Sequence, residues 1–231
     1  MSDIINWDSV FSKKDDFHNN ELCKFTFIEN FFQPEFYEKL YETFPKSDDG
    51  KWITIESDDK SAFRQFWGGI DHEVTVSDKP DPAYSDTWNE FYHYLHSDEC
   101  VNKFREFSGV PITKLRHYAF MLLKKGGYQM AHSHNVGPST LIIMPYFCKN
   151  WEHGDPGGTY ISTAEDESKI DFEPYNLDNS AIIFHDGPYA GHGVRRIEKD
   201  VERRAAHIYY EEFSNESGWS GDKKHQELVE L

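Results

Sequence analysis

The spacing of apolar residues changes once along the chain, close to Pro111. Before that point apolar side chains recur three and four positions apart, which is the pattern of a helix with one buried face. Pro34 is suited to the first position of the first helix, and Pro45 ends it. Ser97-Asp98 resembles an N-terminal cap, and Ser108-Gly109 an end. The three apolar stripes are Phe36, Leu40 and Phe44; Trp88, Phe91, Tyr92 and Leu95; and Val101, Phe104 and Phe107.

After Pro111 the pattern is typical of strands, with short runs of Leu, Ile, Tyr and Phe separated by Gly, Pro, Asn and Asp. One earlier run, Cys23–Phe32, predicts a further strand. Helices followed by a series of strands indicate an α+β domain whose β half is a barrel or sandwich. The predicted strands cover residues 114–123, 139–147, 159–163, 181–185 and 203–213.

The remaining segments are polar. We expect residues 1–22 to form an extension at the surface and residues 214–231 a peripheral tail. Residues 47–82 are charged and interrupted by Gly and Pro, so they predict a long loop. The aromatic residues in that loop either form the wall of a substrate pocket or attach the loop to the core, and the sequence leaves both alternatives open.

Composition narrows the class of protein. Aromatic residues make up 16% of the 231 residues, enough to build a core although only 38% are hydrophobic. The net charge of −17 would repel phosphate backbones, so we expect no nucleic-acid partner. Cys23, Cys100 and Cys148 are far apart, which argues against a disulfide framework or a thiolate zinc site and favours a reducing cytosol.

No apolar run approaches the ~18 residues that cross a bilayer, and the N-terminus lacks the apolar segment of a signal peptide. We therefore expect a cytoplasmic protein without a membrane partner. Nothing in the pattern indicates an oligomeric state.

The first candidate for chemistry is His132-Ser133-His134, which follows Gly126-Gly127. On an extended strand the two imidazoles would project from the same face, so they could bind one metal ion together. The pair is weak evidence alone, because 12 histidines in 231 residues give about 0.6 such pairs by chance.

Two further features add weight to the pair. His192 lies between Gly191 and Gly193, after a strand that is predicted to be buried, and Arg203-Arg204 opens the last strand. Non-haem Fe(II) takes three ligands on one face, usually two His and one carboxylate. An arginine in an apolar strand is costly to bury unless it meets an anion, and its planar fork suits a carboxylate.

These features together resemble the Fe(II)/2-oxoglutarate-dependent oxygenases of the prolyl-hydroxylase-like type, over roughly residues 23–213. The resemblance implies one oxygenase domain, with a helical part at 33–110 and a double-stranded β-helix (jelly-roll) core at 111–213. The matching segments are FTFIENFFQPEFYEKLYETFP, SDECVNKFREFSGV, GGYQMAHSHN, FCKNWEHGDPGG, HGV and RRAAHIYY.

The resemblance also implies site residues and a reaction. His132 and His192 would bind iron, and Arg203 would hold the 5-carboxylate of 2-oxoglutarate, with Arg204 on the opposite face. The cofactors would be Fe(II), the cosubstrate 2-oxoglutarate and O₂. The expected reaction is hydroxylation of an unactivated C–H bond with decarboxylation of 2-oxoglutarate to succinate. A small-molecule or amino-acid-type substrate is favoured over a protein.

The chain departs from the family at His134, where the family has Asp. One interpretation is a three-histidine site of His132, His134 and His192, as in thiol dioxygenases. Another is that His134 turns away and two histidines hold the metal, as in the related halogenases. A degenerate, inactive site is the third. We favour the three-histidine site and treat all three histidines as catalytic candidates.

A cupin-type metal enzyme or binding module without 2-oxoglutarate is the competing class. Gly126, five residues and His-x-His match the first half of the cupin motif. The glutamate expected soon afterwards is absent, since Pro138 and Ser139 stand there, and the second cupin motif is not found around His192. Cupins share the same architecture, so the predicted fold does not depend on this choice.

Overall fold

The computed structural model describes residues 4–21, 23–69, 79–134, 139–162, 169–187 and 190–221. The α-helices in these ranges are α1 (Trp7–Phe11), α2 (Lys14–Asn19), α3 (Pro34–Glu42), α4 (Asp86–Leu95) and α5 (Asp98–Ser108), and a 3₁₀ turn spans Trp67–Gly69. The strands before α4 are β1 (Phe25–Glu29), β2 (Ile53–Ser57) and β3 (Lys60–Phe66). Those after α5 are β4 (Lys114–Leu123), β5 (Tyr128–His132), β6 (Thr140–Phe147), β7 (Thr159–Ser162), β8 (Ile170–Phe172), β9 (Asp178–His185), β10 (Gly191–Val194), β11 (Arg203–Glu211), β12 (Phe213–Ser214) and β13 (Gly218–Trp219).

One curled antiparallel sheet forms the body of the molecule. Its strands follow the order β1-β9-β6-β11-β4-β3-β5-β10-β7-β8, with β2 paired to β3. The sheet folds back on itself, so that Ile161 of β7 lies in the same apolar cluster as Met144 of β6 and Phe184 of β9. The backbone N–H of Thr159 also donates to the Tyr146 hydroxyl across this interior, at 3.0 Å. The architecture is the double-stranded β-helix core with N-terminal helices, as predicted.

The helices pack on the outer face of the sheet through an aromatic layer. Trp88 of α4 is fully buried, and its indole N–H donates to the Thr43 carbonyl oxygen at 3.1 Å. Its ring meets Phe120 of β4 edge-on at 4.8 Å and Phe147 of β6 at 5.2 Å. Such contacts between large rings provide much of the apolar area that holds two layers together.

Most helix signals agree with the structure, but α3 ends at Glu42, before the predicted stop at Pro45. Pro34 occupies the start of α3. The Ser97 hydroxyl accepts a hydrogen bond from the Cys100 backbone N–H at 3.2 Å and caps α5. Gly109 ends α5 with φ 69°, a left-handed conformation that glycine adopts without the strain of a Cβ atom.

The N-terminal extension is attached to the core by a few buried apolar side chains, a contact that the sequence did not predict, while most of its other residues remain at least partly exposed. Trp7 of α1 donates from its indole N–H to the Tyr94 hydroxyl at 2.8 Å. Val10 and Phe17 are fully buried. Helices of only 5 and 6 residues are too short to show a recognisable apolar period, which is why the pattern missed them.

The segment predicted as a loop at residues 47–82 contains the β2–β3 hairpin, and β3 lies inside the sheet between β4 and β5. The sequence did not predict β3, because polar residues lie on both faces of this strand and apolar and polar positions do not alternate along it. Gln65 donates to the Tyr84 hydroxyl at 2.9 Å on the helical side, whereas Lys60 and Arg64 share the other face. Trp67 stacks on Tyr92 at 4.0 Å, so this part of the segment is attached to the core. Residues 70–78 lie outside the described ranges.

Other expectations concern the cysteines, the tail and the membrane. Cys23, Cys100 and Cys148 are free thiols. The predicted tail begins with the small β12–β13 hairpin, and residues 222–231 lie outside the described ranges. No helix in the part of the chain that the structure describes is long and apolar enough to cross a bilayer.

Candidate metal centre and anion pocket

Three histidines meet where β5 pairs with β10. His132, the last residue of β5, lies directly opposite His192 of β10 in the strand ladder, and their ring centroids are 4.3 Å apart. His134 follows two residues after the end of β5, with its ring 5.0 Å from each of the other two. One side-chain nitrogen from each residue lies within 4.8 Å of the other two, a spacing at which a single ion could bind all three.

Hydrogen bonds orient two of these rings. The Nδ1 atom of His132 lies 3.0 Å from the Met130 carbonyl oxygen, and that of His192 lies 2.7 Å from the Ala190 carbonyl oxygen. A carbonyl oxygen only accepts, so each Nδ1 carries the proton. Each Nε2 atom then keeps its lone pair for a metal. The Gln129 amide nitrogen lies 3.0 Å from the His132 Nε2 atom and would donate to it without metal.

Burial favours the neutral form of His132 and His192. Desolvation lowers the pKa of His132 and lowers the pKa of His192 well below its usual value of 6.5. The neighbouring imidazoles lower the pKa of His192 further, because a second positive charge nearby would be repelled. Neutral imidazole is the form that binds metal ions, so no proton has to leave before binding at neutral pH.

A glycine permits the close approach of β5 and β10, the strands that carry His132 and His192. A Cβ atom on Gly193 would lie 2.6 Å from the Gln129 carbonyl oxygen of β5, well inside contact distance. Any side chain there would separate β10 from β5. The glycine beside His192 therefore helps to bring His192 opposite His132.

Arg203 is a fully buried cation at the start of β11. Its Nε donates to the Gly157 carbonyl oxygen and its Nη2 to the Thr159 hydroxyl, both at 2.9 Å. The third nitrogen, Nη1, is buried and has no hydrogen-bond partner among the described residues. Burial lowers the pKa of Arg203, because a desolvated charge without a counter-ion is unfavourable. The arrangement suits an anionic ligand.

The strand register places Arg203 and the histidines in the same interior. Thr159, which Arg203 contacts, lies opposite Val194 in the β7–β10 ladder, and Ile161 lies opposite His192. Residues two apart on a strand share a face and are about 7 Å apart. The guanidinium and the His192 ring thus lie on the same side of this ladder, about two residues apart along it.

Arg204 faces the other way. Its guanidinium bonds the Glu202 carboxylate at 2.6 Å and lies over the rings of Tyr41 and Phe44 in the helical layer. The two adjacent arginines therefore lie on opposite faces of β11.

Three further interior residues did not stand out in the sequence. Burial, together with the nearby charges of Arg64 and Arg203, lowers the pKa of Lys60 from 10.5 to about 7. The Nδ1 atom of His207 is buried without a hydrogen-bond partner among the described residues. Asp186 is buried and lies 2.8 Å from His134. Of these three residues, only His207 could have been predicted from the sequence. It lies four positions after Arg203 on the same strand, so its side chain is on the same face of the sheet.

When the chain is compared with known proteins, solved structures match its fold, whereas family models and curated sequences do not match. A prolyl-4-hydroxylase from Pseudomonas putida is 12% identical, covers 87% of this chain and 98% of its own, and superimposes with a TM-score of 0.64.

Two other structures extend this comparison. A prolyl hydroxylase from Trichoplax adhaerens, in complex with a hypoxia-inducible-factor peptide fragment, is 13% identical over 95% of this chain and 91% of its own, with a TM-score of 0.56. HygX from Streptomyces hygroscopicus, with nickel, 2-oxoglutarate and hygromycin B bound, is 12% identical over 83% and 84%, with a TM-score of 0.51. The chain has the fold of prolyl-4-hydroxylase-like 2-oxoglutarate oxygenases, which confirms the resemblance at the level of the fold.

Proposed function

We propose that this chain is an Fe(II)- and 2-oxoglutarate-dependent oxygenase. It hydroxylates an unactivated C–H bond of a small-molecule or amino-acid-type substrate, and it decarboxylates 2-oxoglutarate to succinate. One observation carries the proposal. A single barrel interior contains three histidines with nitrogens within 4.8 Å of one another and a fully buried arginine whose Nη1 has no hydrogen-bond partner among the described residues.

The residues fit both groups. His132, His134 and His192 would hold the iron through their Nε2 atoms, and Arg203 would bind the far carboxylate of 2-oxoglutarate with its free Nη1. Ferrous iron, when bound, supplies the reactivity with O₂ that side chains lack. The protein orients the cosubstrate between the histidines and Arg203, and apolar side chains such as Met144 and Ile161 limit access of water.

The matched structures support the chemistry and leave a range of substrates. HygX has a metal and 2-oxoglutarate bound together with hygromycin B, which is a small molecule. The Trichoplax enzyme has a peptide fragment bound. The first case agrees with the substrate class that we favour for this chain.

Two alternatives are less well supported. A halogenase-type site needs the metal to keep only two histidines, but the His134 ring lies 5.0 Å from both of the others. A cupin-type metal site without 2-oxoglutarate gives no use for the free Nη1 of Arg203.

An anaerobic titration tests the proposal. Adding Fe(II) and then 2-oxoglutarate should produce the weak visible charge-transfer band of the chelated metal. His134→Ala should weaken or abolish the band, His134→Asp should restore it, and His153→Ala, at an exposed histidine near Tyr175, should leave it unchanged. If the wild-type protein gives no band, the proposed function is wrong. If the His134→Ala variant gives the same band and metal affinity, the three-histidine site is wrong.

A further inference from the structure

A buried carboxylate lies directly behind one of the metal-binding rings. Asp186 is 2% exposed, and its Oδ2 atom accepts a hydrogen bond from the Nδ1 of His134 at 2.8 Å. The Nδ1–H of His134 therefore points to a carboxylate, whereas those of His132 and His192 point to backbone carbonyl oxygens. His134 is the only one of the three rings that is hydrogen-bonded to an acidic group among the described residues.

The carboxylate is held rigidly. Asp186 follows the last residue of β9, and its Oδ1 atom accepts from the Gly187 backbone N–H at 3.0 Å. The main chain of Asp186 makes two hydrogen bonds with Thr140 of β6. The Asp186 N–H donates to the Thr140 carbonyl oxygen, and the Thr140 hydroxyl donates to the Asp186 carbonyl oxygen. These bonds fix the position of Oδ2 relative to the barrel, and thereby the position of His134.

Asp186 differs from the other buried acid among the described residues, Glu211. Glu211 is paired with the guanidinium of Arg116, which is a permanent cation. Asp186 has only the imidazole of His134 within ion-pairing distance among the described side chains. A buried carboxylate without a permanent cation is unfavourable. A divalent metal on the far nitrogen of the same ring would compensate it.

We propose that Asp186 is a positioning residue of the metal centre. It holds His134 as the Nδ1–H tautomer, so that Nε2 faces the metal. It also places a negative charge next to the metal site, because its carboxylate is hydrogen-bonded to a ring that would bind the ion. Three neutral imidazoles add no charge of their own, so Asp186 offsets part of the metal's positive charge in an interior that also contains Lys60 and Arg203. This inference rests on the proposed metal site. Carboxylates behind ligating histidines fix the ring and raise its basicity, and their loss lowers metal affinity about 10–100-fold.

The test uses Co(II) alone, without O₂ or 2-oxoglutarate, and the full chain. Asp186→Asn keeps an acceptor for the His134 N–H but removes the charge, and we expect it to weaken Co(II) binding about tenfold. The matched control is Asp178→Asn at the other end of β9, where the carboxylate accepts from the Tyr37 hydroxyl, and it should bind Co(II) as the wild type does.

A double-mutant cycle separates positioning from a general effect. If Asp186 acts through His134, Asp186→Asn should cost nothing further in the His134→Ala background, because the ring it holds is gone. An equal loss in both backgrounds would overturn the inference, and so would Asp186→Asn binding Co(II) within twofold of the wild type. Either result leaves the metal site intact. If the wild type binds no Co(II), the proposed function itself fails.

A measurement on the wild-type protein tests the same inference without any variant. In the Zn(II)-loaded protein, nitrogen-detected correlations of the histidine rings report which nitrogen carries the proton. We expect a protonated Nδ1 on His134 with a proton resonance shifted by the carboxylate hydrogen bond. A proton on Nε2 of His134 would contradict the inference.

Discussion

The two faces of β11 have opposite chemistry. On the outer face Ala206, Ile208 and Tyr210 join the aromatic layer beneath the helices. On the inner face Arg203 and His207 are buried with polar atoms that lack partners among the described residues. The Tyr210 hydroxyl on the outer face has a hydrogen-bond partner, because it donates to the Leu95 carbonyl oxygen at 2.6 Å.

The contrast separates stability from function. Buried polar atoms without partners cost free energy, so they are rare in parts of a protein that only hold it together. On β11 they occur on the face that shares the interior with the three histidines. The outer face of β11 therefore contributes to the stability of the barrel, and its inner face keeps polar groups available for binding. The contrast is specific to β11, because the Tyr118 hydroxyl of β4 is also buried on the helical side without a hydrogen-bond partner among the described residues.

The largest expected effect concerns the outer layer. Trp88→Ala removes a fully buried ring in contact with Phe120 and Phe147, and we expect a loss of about 3–5 kcal/mol in the free energy of unfolding. Denaturant titration followed by circular dichroism measures it. The half-exposed Tyr175 offers a control, since Tyr175→Ala should cost much less. A loss below about 1 kcal/mol for Trp88→Ala would show that the helical layer does not provide the stability.

The next effect concerns the inner face. Arg203→Met removes the buried cation, and we expect 2-oxoglutarate affinity to fall about 30-fold or more, because truncating one partner of a buried ion pair costs about 2–5 kcal/mol. Stability without ligand should stay the same or rise, since an uncompensated charge is lost. The charge-transfer titration measures the affinity.

Arg204→Met is the matched control for Arg203→Met, because Arg204 lies on the outer face of the same strand and pairs with Glu202. It should leave 2-oxoglutarate binding unchanged. If Arg204→Met loses the cosubstrate and Arg203→Met keeps it, the assignment of the two faces is wrong.

The smallest effect concerns Lys60 and pH. Its pKa is about 7 in the folded protein against 10.5 ordinarily, so between these values the unfolded chain binds a proton that the folded chain does not. The free energy of unfolding should therefore rise with pH across this window. Below pH 7 the buried lysine is charged in the folded protein, and the full free-energy cost of burying that charge remains. Lys60→Met should remove this slope and stabilise the protein at pH 7 by about 1 kcal/mol, or ~2–4 °C in Tm, after allowance for its partial solvent contact.

Thermal unfolding at several pH values checks this prediction. Lys51→Met, at an exposed lysine of the same segment, is the control and should leave the slope unchanged. If Lys60→Met unfolds at the same temperature as the wild type at pH 7 and retains the slope, Lys60 is not desolvated in the way described.

Much of the fold could be predicted from periodicity. The predicted strand at 114–123 is β4, with the same bounds. The three apolar stripes lie in α3, α4 and α5, except that Phe44 lies two residues beyond the end of α3. The β3 strand could not be predicted in this way. Its polar residues face both the interior and the Tyr84 hydroxyl, so the alternation of apolar and polar residues that marks a half-buried strand is absent.

The sequence by itself determined which side chains could bind a metal and an anion, because His132, His134, His192 and Arg203 are of the right types, in an order that resembles a known motif. Only the tertiary structure decided that Asp186, 52 residues after His134, lies behind its ring. A hydrogen bond between distant strands depends on sheet register and on the bend of the chain after β9, and neither leaves a local pattern in the sequence.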